Sequence, residues 1–130
     1  MSLAYVIIGS NDTARARAYY DAVLPLLGAV LAKDFMPQGF MYALRDGGRI
    51  GITRPYDGWT ATPGNGNTVG LLCRSEEEVQ VAHAAALANG GTNEGSPGPR
   101  PQYGQNFYGA YVRDPDGNKT CFVYYGEIPA

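Results

Sequence analysis

The stretch Tyr108-Gly109-Ala110-Tyr111-Val112-Arg113-Asp114-Pro115-Asp116-Gly117-Asn118-Lys119-Thr120-Cys121-Phe122-Val123-Tyr124-Tyr125 decides the fold. Two runs rich in aromatic and β-branched residues flank an Asp-Pro-Asp-Gly-Asn turn. Pro115 fixes φ, Gly117 supplies a positive φ, and the Asp and Asn side chains close the turn on the backbone. The stretch therefore reads as a strong hairpin that forms the last two strands of the chain.

Working outward, the preceding segments repeat one order. Ala4 to Ile8 is a short apolar strand, and Asp12 caps a helix whose apolar face is expected at Ala14, Ala18, Tyr19, Ala22, Val23 and Leu26. Pro25 ends that helix, with Gly28 at its C-terminus. Strands follow at Ala29 to Lys33, Gly39 to Arg45 and Arg49 to Arg54, the last two joined by Asp46-Gly47-Gly48. Pro55 to Gly66 is a Gly/Pro loop. Then Asn67 to Arg74 reads as a strand. Ser75-Glu76-Glu77-Glu78 is a capping box that opens a helix with Val79, Ala82, His83, Ala86 and Leu87 on one face. Asn89-Gly90-Gly91 stops it. A weak strand at Thr92 to Glu94 and a second Gly/Pro loop, Pro97 to Gln105, lead into the hairpin. The order strand-helix-strand-strand-strand thus occurs twice, at a period of roughly 60 residues.

Composition narrows the function classes. The chain has 130 residues, 45% of them hydrophobic and 17% charged, and so suits one globular domain with a real core. Its net charge is −2 and its Lys and Arg are scattered, which argues against nucleic acid. No apolar run approaches a membrane span, and no secretory leader with a basic start is apparent. Cys73 and Cys121 are the only cysteines and lie in separate strands. That usage points to a reduced, cytoplasmic protein. No nucleophile elbow is present, and Gly64-Asn65-Gly66 precedes a strand rather than a phosphate-binding helix.

The doubled βαβββ order resembles the glyoxalase/bleomycin-resistance/extradiol-dioxygenase (vicinal oxygen chelate) superfamily. Asp12-Thr13-Ala14-Arg15-Ala16-Arg17-Ala18-Tyr19-Tyr20 is close to that family's "D-x-x-R-A-x-x-F-Y" helix, and Asp114 to Asn118 match its closing turn. The resemblance covers nearly the whole chain. It implies an α+β fold, with two βαβββ modules (about residues 1–58 and 66–127) forming a curved, partly closed eight-stranded mixed sheet around a pocket, helices outside. Tyr5 and Ile7, Thr68, Gly70 and Leu72, and Cys121, Val123 and Tyr125 would face that pocket. In the hairpin register that pairs them with Cys121, so would Phe107, Gly109 and Tyr111; a slip of one residue would substitute Tyr108 and Ala110.

Enzymes of this family hold a divalent metal through His or Gln near the start of a module's first strand and Glu in its last. The matching positions here all depart. Seven residues before Asp12 stands Tyr5; the His of "G-N-G-x-H-V" is Thr68; the Glu of "D-P-D-G-N-x-x-E" is Cys121. The single histidine, His83, falls mid-helix with its polar edge expected near solvent. The expectation is therefore no metal and no cofactor. Instead, Tyr5, Phe40, Tyr42, Trp59, Phe107 and Tyr111 are candidates for an aromatic wall. Arg100 is a candidate anion holder, and Thr68 and Cys121 complete the ligand-binding set. Two functions follow: a metal-free binder of a small organic molecule, or an enzyme related to lactoylglutathione lyases or dioxygenases, using an unusual metal set or acid–base chemistry at Tyr5, Tyr111 or Cys121. No catalytic residue is assigned. The family implies a homodimer, with the pocket within one chain or shared across two.

Overall fold

The computed structural model describes residues 2–126. Its elements run β1 Tyr5–Gly9, α1 Thr13–Val23, a 3-10 turn Leu24–Leu27, β2 Val30–Phe35, β3 Gly39–Ala43, β4 Arg49–Thr53, β5 Val69–Leu72, α2 Glu76–Ala88, β6 Thr92–Pro99, a 3-10 turn Pro101–Tyr103, β7 Tyr108–Arg113 and β8 Lys119–Tyr124. The eight strands divide into two four-stranded mixed sheets with the same plan, β1-β4-β3-β2 and β5-β8-β7-β6. In each, the first strand pairs in parallel with the fourth and the rest are antiparallel. The repeat seen faintly in the sequence is thus a repeat of topology.

Local chemistry sets the boundaries. The Asp12 carboxylate accepts from the Arg15 N–H at 3.0 Å and caps α1. Gly28, at φ 77°, closes the turn after α1, where a residue with a Cβ would be strained. Ser75 caps α2 by accepting from the Glu78 N–H at 3.0 Å. Glu78 departs from the simple capping box: its carboxylate accepts from the Arg74 N–H and pairs with Arg45 at 3.1 Å, joining α2 to the β3–β4 turn.

One core runs through both modules. Tyr19, Tyr20, Val23 and Leu24 pack with Phe40, Ile50 and Ile52 of the first sheet, and with Leu71, Val79, Val112 and Phe122 of the second module. The helices meet on this side, and Gly91 lets them close: a Cβ there would stand 2.7 Å from the Ala86 carbonyl oxygen and 3.1 Å from the Tyr19 ring. The buried face of α1 is Thr13, Ala16, Tyr19, Tyr20 and Val23, so the expected stripe is rotated: Ala14 and Ala18 are exposed. Alanines recur around the whole helix, and the bulky Tyr19-Tyr20 pair, in edge contact at 4.7 Å, sets the orientation. On α2, Leu87 is exposed, and His83 is buried with Nε2 3.0 Å from the Asn93 amide oxygen. β6 is longer than its sequence signal because two register shifts absorb Glu94 and the Ser96-Pro97 pair.

The Asp114–Asn118 turn joins the modules. The Asp114 carboxylate is buried and accepts from the Tyr20 hydroxyl at 2.6 Å, from the Asn118 and Asp116 backbone N–H groups at 2.9 Å each, and from the Asn118 side-chain amide at 2.9 Å. Asn118 in turn donates to the Gly9 carbonyl at 2.9 Å, and Asp116 accepts from the Asn11 N–H at 2.8 Å. A buried carboxylate that loses one donor carries most of that loss as unmatched desolvation. Tyr20→Phe should therefore lower stability by about 1–3 kcal/mol in urea unfolding. A change under about 0.5 kcal/mol, the range of ordinary surface substitutions, would show that the clip contributes little.

Candidate functional site

Opposite the helices, each sheet presents an open face, and strand alternation decides what it carries. In the first module β1 and β4 pair Tyr5 with Arg49 and Ile7 with Gly51, while β3 and β4 pair Met41 with Gly51. Tyr5 and Ile7 stand 60% and 44% exposed there. In the second module Gly70 lies opposite Cys121, and Cys121 opposite Tyr111. The hairpin takes the register that groups Gly109 and Tyr111 with Cys121 and Val123.

In the first module, the pairing of β3 with β4 removes two residues from the expected aromatic wall. Phe40 pairs with Ile52 and Tyr42 with Ile50, so both point toward α1. Phe40 is fully buried beneath the Arg17 guanidinium, and the Tyr42 hydroxyl donates to Asp21 on α1. Their parity follows Ile50 and Ile52, and two large aromatics gain more from the core than from the open face.

The remaining candidates fall into two groups. Around the connecting loop, a cleft of about 740 Å³ is lined by Tyr5, Ile7, Gln38, Arg54, Tyr56 and Thr60, among others. An adjoining cleft of about 460 Å³ adds Trp59 and Ser10. Asn11 holds this loop in place, its amide donating to the Ala61 carbonyl at 3.0 Å and accepting from the Ala61 N–H at 2.7 Å. Tyr56 and Trp59 are left projecting from it, largely exposed.

The second group is on the open face of the other module. Phe107 packs edge-on against Tyr103 at 5.5 Å and Tyr125 at 5.7 Å. Beside them Tyr111 lies under two cations, with Arg100 at 5.8 Å and the Lys119 ammonium at 5.3 Å from its ring centre. Thr68 is exposed just before β5. Trp59 and Arg100 line different regions, so the seven remaining candidates do not share one cleft.

Arg54, Lys119 and Gly51 were not singled out in the sequence. Lys119 had a usable signal: it stands two residues before Cys121 and so shares its face. Gly51 emerges from the repeat. Tyr5 corresponds to Thr68 and Ile7 to Gly70, so the counterpart of Cys121 in the first module is Gly51. A Cβ at Gly51 would stand 2.5 Å from Ile7 Cδ1 and 3.1 Å from Met41 Cε. Hydrocarbon fills the space a side chain would take there.

Electrostatics keep the open-face groups protonated. Burial pushes the Cys121 thiol up, against the opposing influence of Tyr111, Arg100 and Lys119. Burial, with Cys121 beside it, pushes the Tyr111 phenol up to about 12. Among the described residues, no group of three or more His, Cys, Asp or Glu side chains is placed to hold a metal ion.

The chain matches the family model of the Glyoxalase/Bleomycin resistance protein/Dioxygenase superfamily over residues 2–122. The chain belongs to this superfamily. Among solved structures, a glyoxalase/bleomycin resistance protein from Albidiferax ferrireducens T118 is 39% identical, with a TM-score of 0.84 over 95% of this chain and 98% of that one. A glyoxalase-related enzyme from Fulvimarina pelagi is 20% identical, with a TM-score of 0.76 over 95% and 88%. A lactoylglutathione lyase from Agrobacterium tumefaciens is 16% identical, with a TM-score of 0.67 over 95% and 92%. The last two likenesses are of fold. Comparison with curated proteins gives no match.

Within this superfamily member, both cysteines are free and nearly inaccessible, and burial drives the Cys73 thiol up to about 12. A thiol raised this way becomes thiolate only as pH climbs toward its shifted value. In an aromatic-disulfide (Ellman) assay at pH 8, native protein should react at under about a tenth of the rate of the same chain in denaturant, where thiols ionise near 8.5. Rapid reaction of one thiol in the native state would contradict this placement of Cys121.

Proposed function

We propose that this superfamily member binds a small organic molecule on its open faces without the divalent metal used by the family's enzymes. The observation that carries the reading is the set Tyr5, Gly51, Thr68 and Cys121 at the repeat-related positions. A phenol, a hydrogen, an alcohol and a thiol held neutral do not fit a site that needs imidazole and carboxylate. Ile7 and Met41 crowd Gly51 further, and no reaction step is assigned through a metal. The exposed aromatics Tyr5, Tyr56, Trp59 and Tyr103 support a ligand surface, since such sites are largely apolar with a few placed polar groups.

Two coarser features accompany this proposal. Exposed Tyr5, Ile7, Leu72 and Tyr125 support a homodimer in which a second copy covers part of the open faces. Free buried cysteines support a reducing, cytoplasmic setting. No helix among the described residues is long and apolar enough to cross a membrane.

An enzyme related to lactoylglutathione lyases or dioxygenases is the alternative. It would draw on Tyr111 or Cys121 for proton transfer, and both are shifted away from neutrality in the direction that disfavours a base.

Thermal unfolding separates the readings. Ligands that bind only the native state raise its melting temperature, by an amount that grows with the logarithm of their concentration over Kd. Zn²⁺, Ni²⁺, Fe²⁺ and Mn²⁺, each added in excess to protein freed of metal, should leave the melting temperature within about 1 °C. A flat aromatic acid should raise it by several degrees, roughly what 1–2 kcal/mol gives in a domain of this size. A large metal-induced rise would overturn the proposal. Separately, sedimentation should show a dimer; a monomer at high concentration would remove the dimer from the account.

A further inference from the structure

Charge is distributed unevenly between the two sides of the molecule. On the helical side, Arg15, Arg17 and Arg45 each face a carboxylate: Asp116 at 3.8 Å, Asp21 at 2.9 Å and Glu78 at 3.1 Å. On the open face of the second module only Arg113 does, with Glu94 at 2.6 Å. Among the described residues no carboxylate lies within 4.0 Å of Arg100 or Lys119, although Glu94 is close enough to Lys119 to feel its charge. Among the described residues, this face of a chain of net charge −2 therefore carries three cations against one carboxylate.

Arg100 is also built into place. Its guanidinium donates to the carbonyls of Ser96 at 2.7 Å, Gly98 at 2.9 Å and Pro99 at 3.4 Å, all on the bulged strand β6. Room for it comes from two glycines. A Cβ on Gly95 would stand 3.2 Å from its Nη2 and 3.1 Å from the Tyr111 ring, and a Cβ on Gly98 would stand 3.3 Å from its Nη1. Carbonyl acceptors fix the side chain but leave its charge unneutralised. Lys119 reaches the same Tyr111 ring from β8, and the Tyr103–Phe107–Tyr125 cluster lies just beyond the other ends of β7 and β8, its Phe107 ring close over Gly109, two residues from Tyr111.

We propose that Arg100 and Lys119, arranged about Tyr111, form an anion subsite, and that the ligand is a flat aromatic body bearing one carboxylate or similar small anion. This deepens the binding function above and rests on it. The anion lies between the guanidinium and the ammonium, and the aromatic body lies on the Phe107 cluster. Among the described residues the patch is only two unpaired cations wide on an acidic protein, which suits a small monoanion and repels an extended polyanion.

The test is calorimetric titration of the full chain with 1-naphthoate, its neutral counterpart 1-naphthalenemethanol and inorganic phosphate, on wild type and on R100M and K119M. Naphthoate should bind saturably, and the alcohol about tenfold or more weaker, since a partly buried charge-assisted contact contributes on that scale. Each variant should weaken naphthoate by about tenfold, leave the alcohol unchanged, and flatten the salt dependence. K119M removes no hydrogen bond from β6, so it stands as the test if R100M unfolds. Equal binding of naphthoate and alcohol, or unchanged naphthoate affinity in K119M, overturns the anion subsite while leaving metal-free binding intact. Failure of naphthoate to bind, or variants that shift only the monomer–dimer equilibrium, overturns it in favour of a second copy on this face. Metal binding would instead strike the reading beneath it.

Discussion

The Asp114 carboxylate is the constraint on which this structure depends. A buried anion has to be surrounded by donors, and this one has four: the Tyr20 hydroxyl from α1, and three N–H groups from its own turn. Burial still holds its pKa above the usual carboxylate value, so the donors offset the desolvation without removing it. Because Tyr20 belongs to the first module and Asp114 to the second, satisfying the charge fixes how the two sheets lie. Asn118 extends the same turn to the Gly9 carbonyl and Asp116 extends it to the Asn11 N–H, where β1 hands over to α1.

From this seam the two faces of the molecule diverge. The helical side carries the shared core and paired charges. The open side carries glycines opposite larger neighbours, exposed aromatics and, among the described residues, Arg100 and Lys119 with no carboxylate within 4.0 Å. Gly51 under Ile7 and Met41 closes the first face with hydrocarbon, whereas Cys121 beside Tyr111, Arg100 and Lys119 gives the second a polar centre. Two modules with one topology thus present different surfaces, one with hydrocarbon at its centre and the connecting loop along its cleft, the other with a cationic and aromatic centre.

Much of this was legible in the sequence where local chemistry is strong. The Asp-Pro-Asp-Gly-Asn turn, the Asp12 and Ser75 caps and the alternation through Cys121 are short-range signals, and each marks a real boundary or face. What was not legible depends on partners far along the chain. Ala14 and Ala18 looked equivalent to Ala16 until the Tyr19-Tyr20 pair turned α1. Tyr42 looked like a pocket aromatic, but strand parity alone does not say which face meets the helix, and Asp21 draws its hydroxyl inward. Strand β6 was obscured by Gly95, Pro97 and Gly98, residues that weaken strand signals and here make the bulges that seat Arg100. The relation of Gly51 to Cys121 required the registers of both sheets.

Donor chemistry at four related positions decides whether this chain holds a metal, and elemental analysis reads that directly. Protein isolated without chelator, from cells supplied with zinc, nickel, iron and manganese, should hold well under one ion of any of them per chain. One tightly held ion per chain, lost when Thr68 or Cys121 is replaced by alanine, would contradict it and return this chain to the metal chemistry of its superfamily.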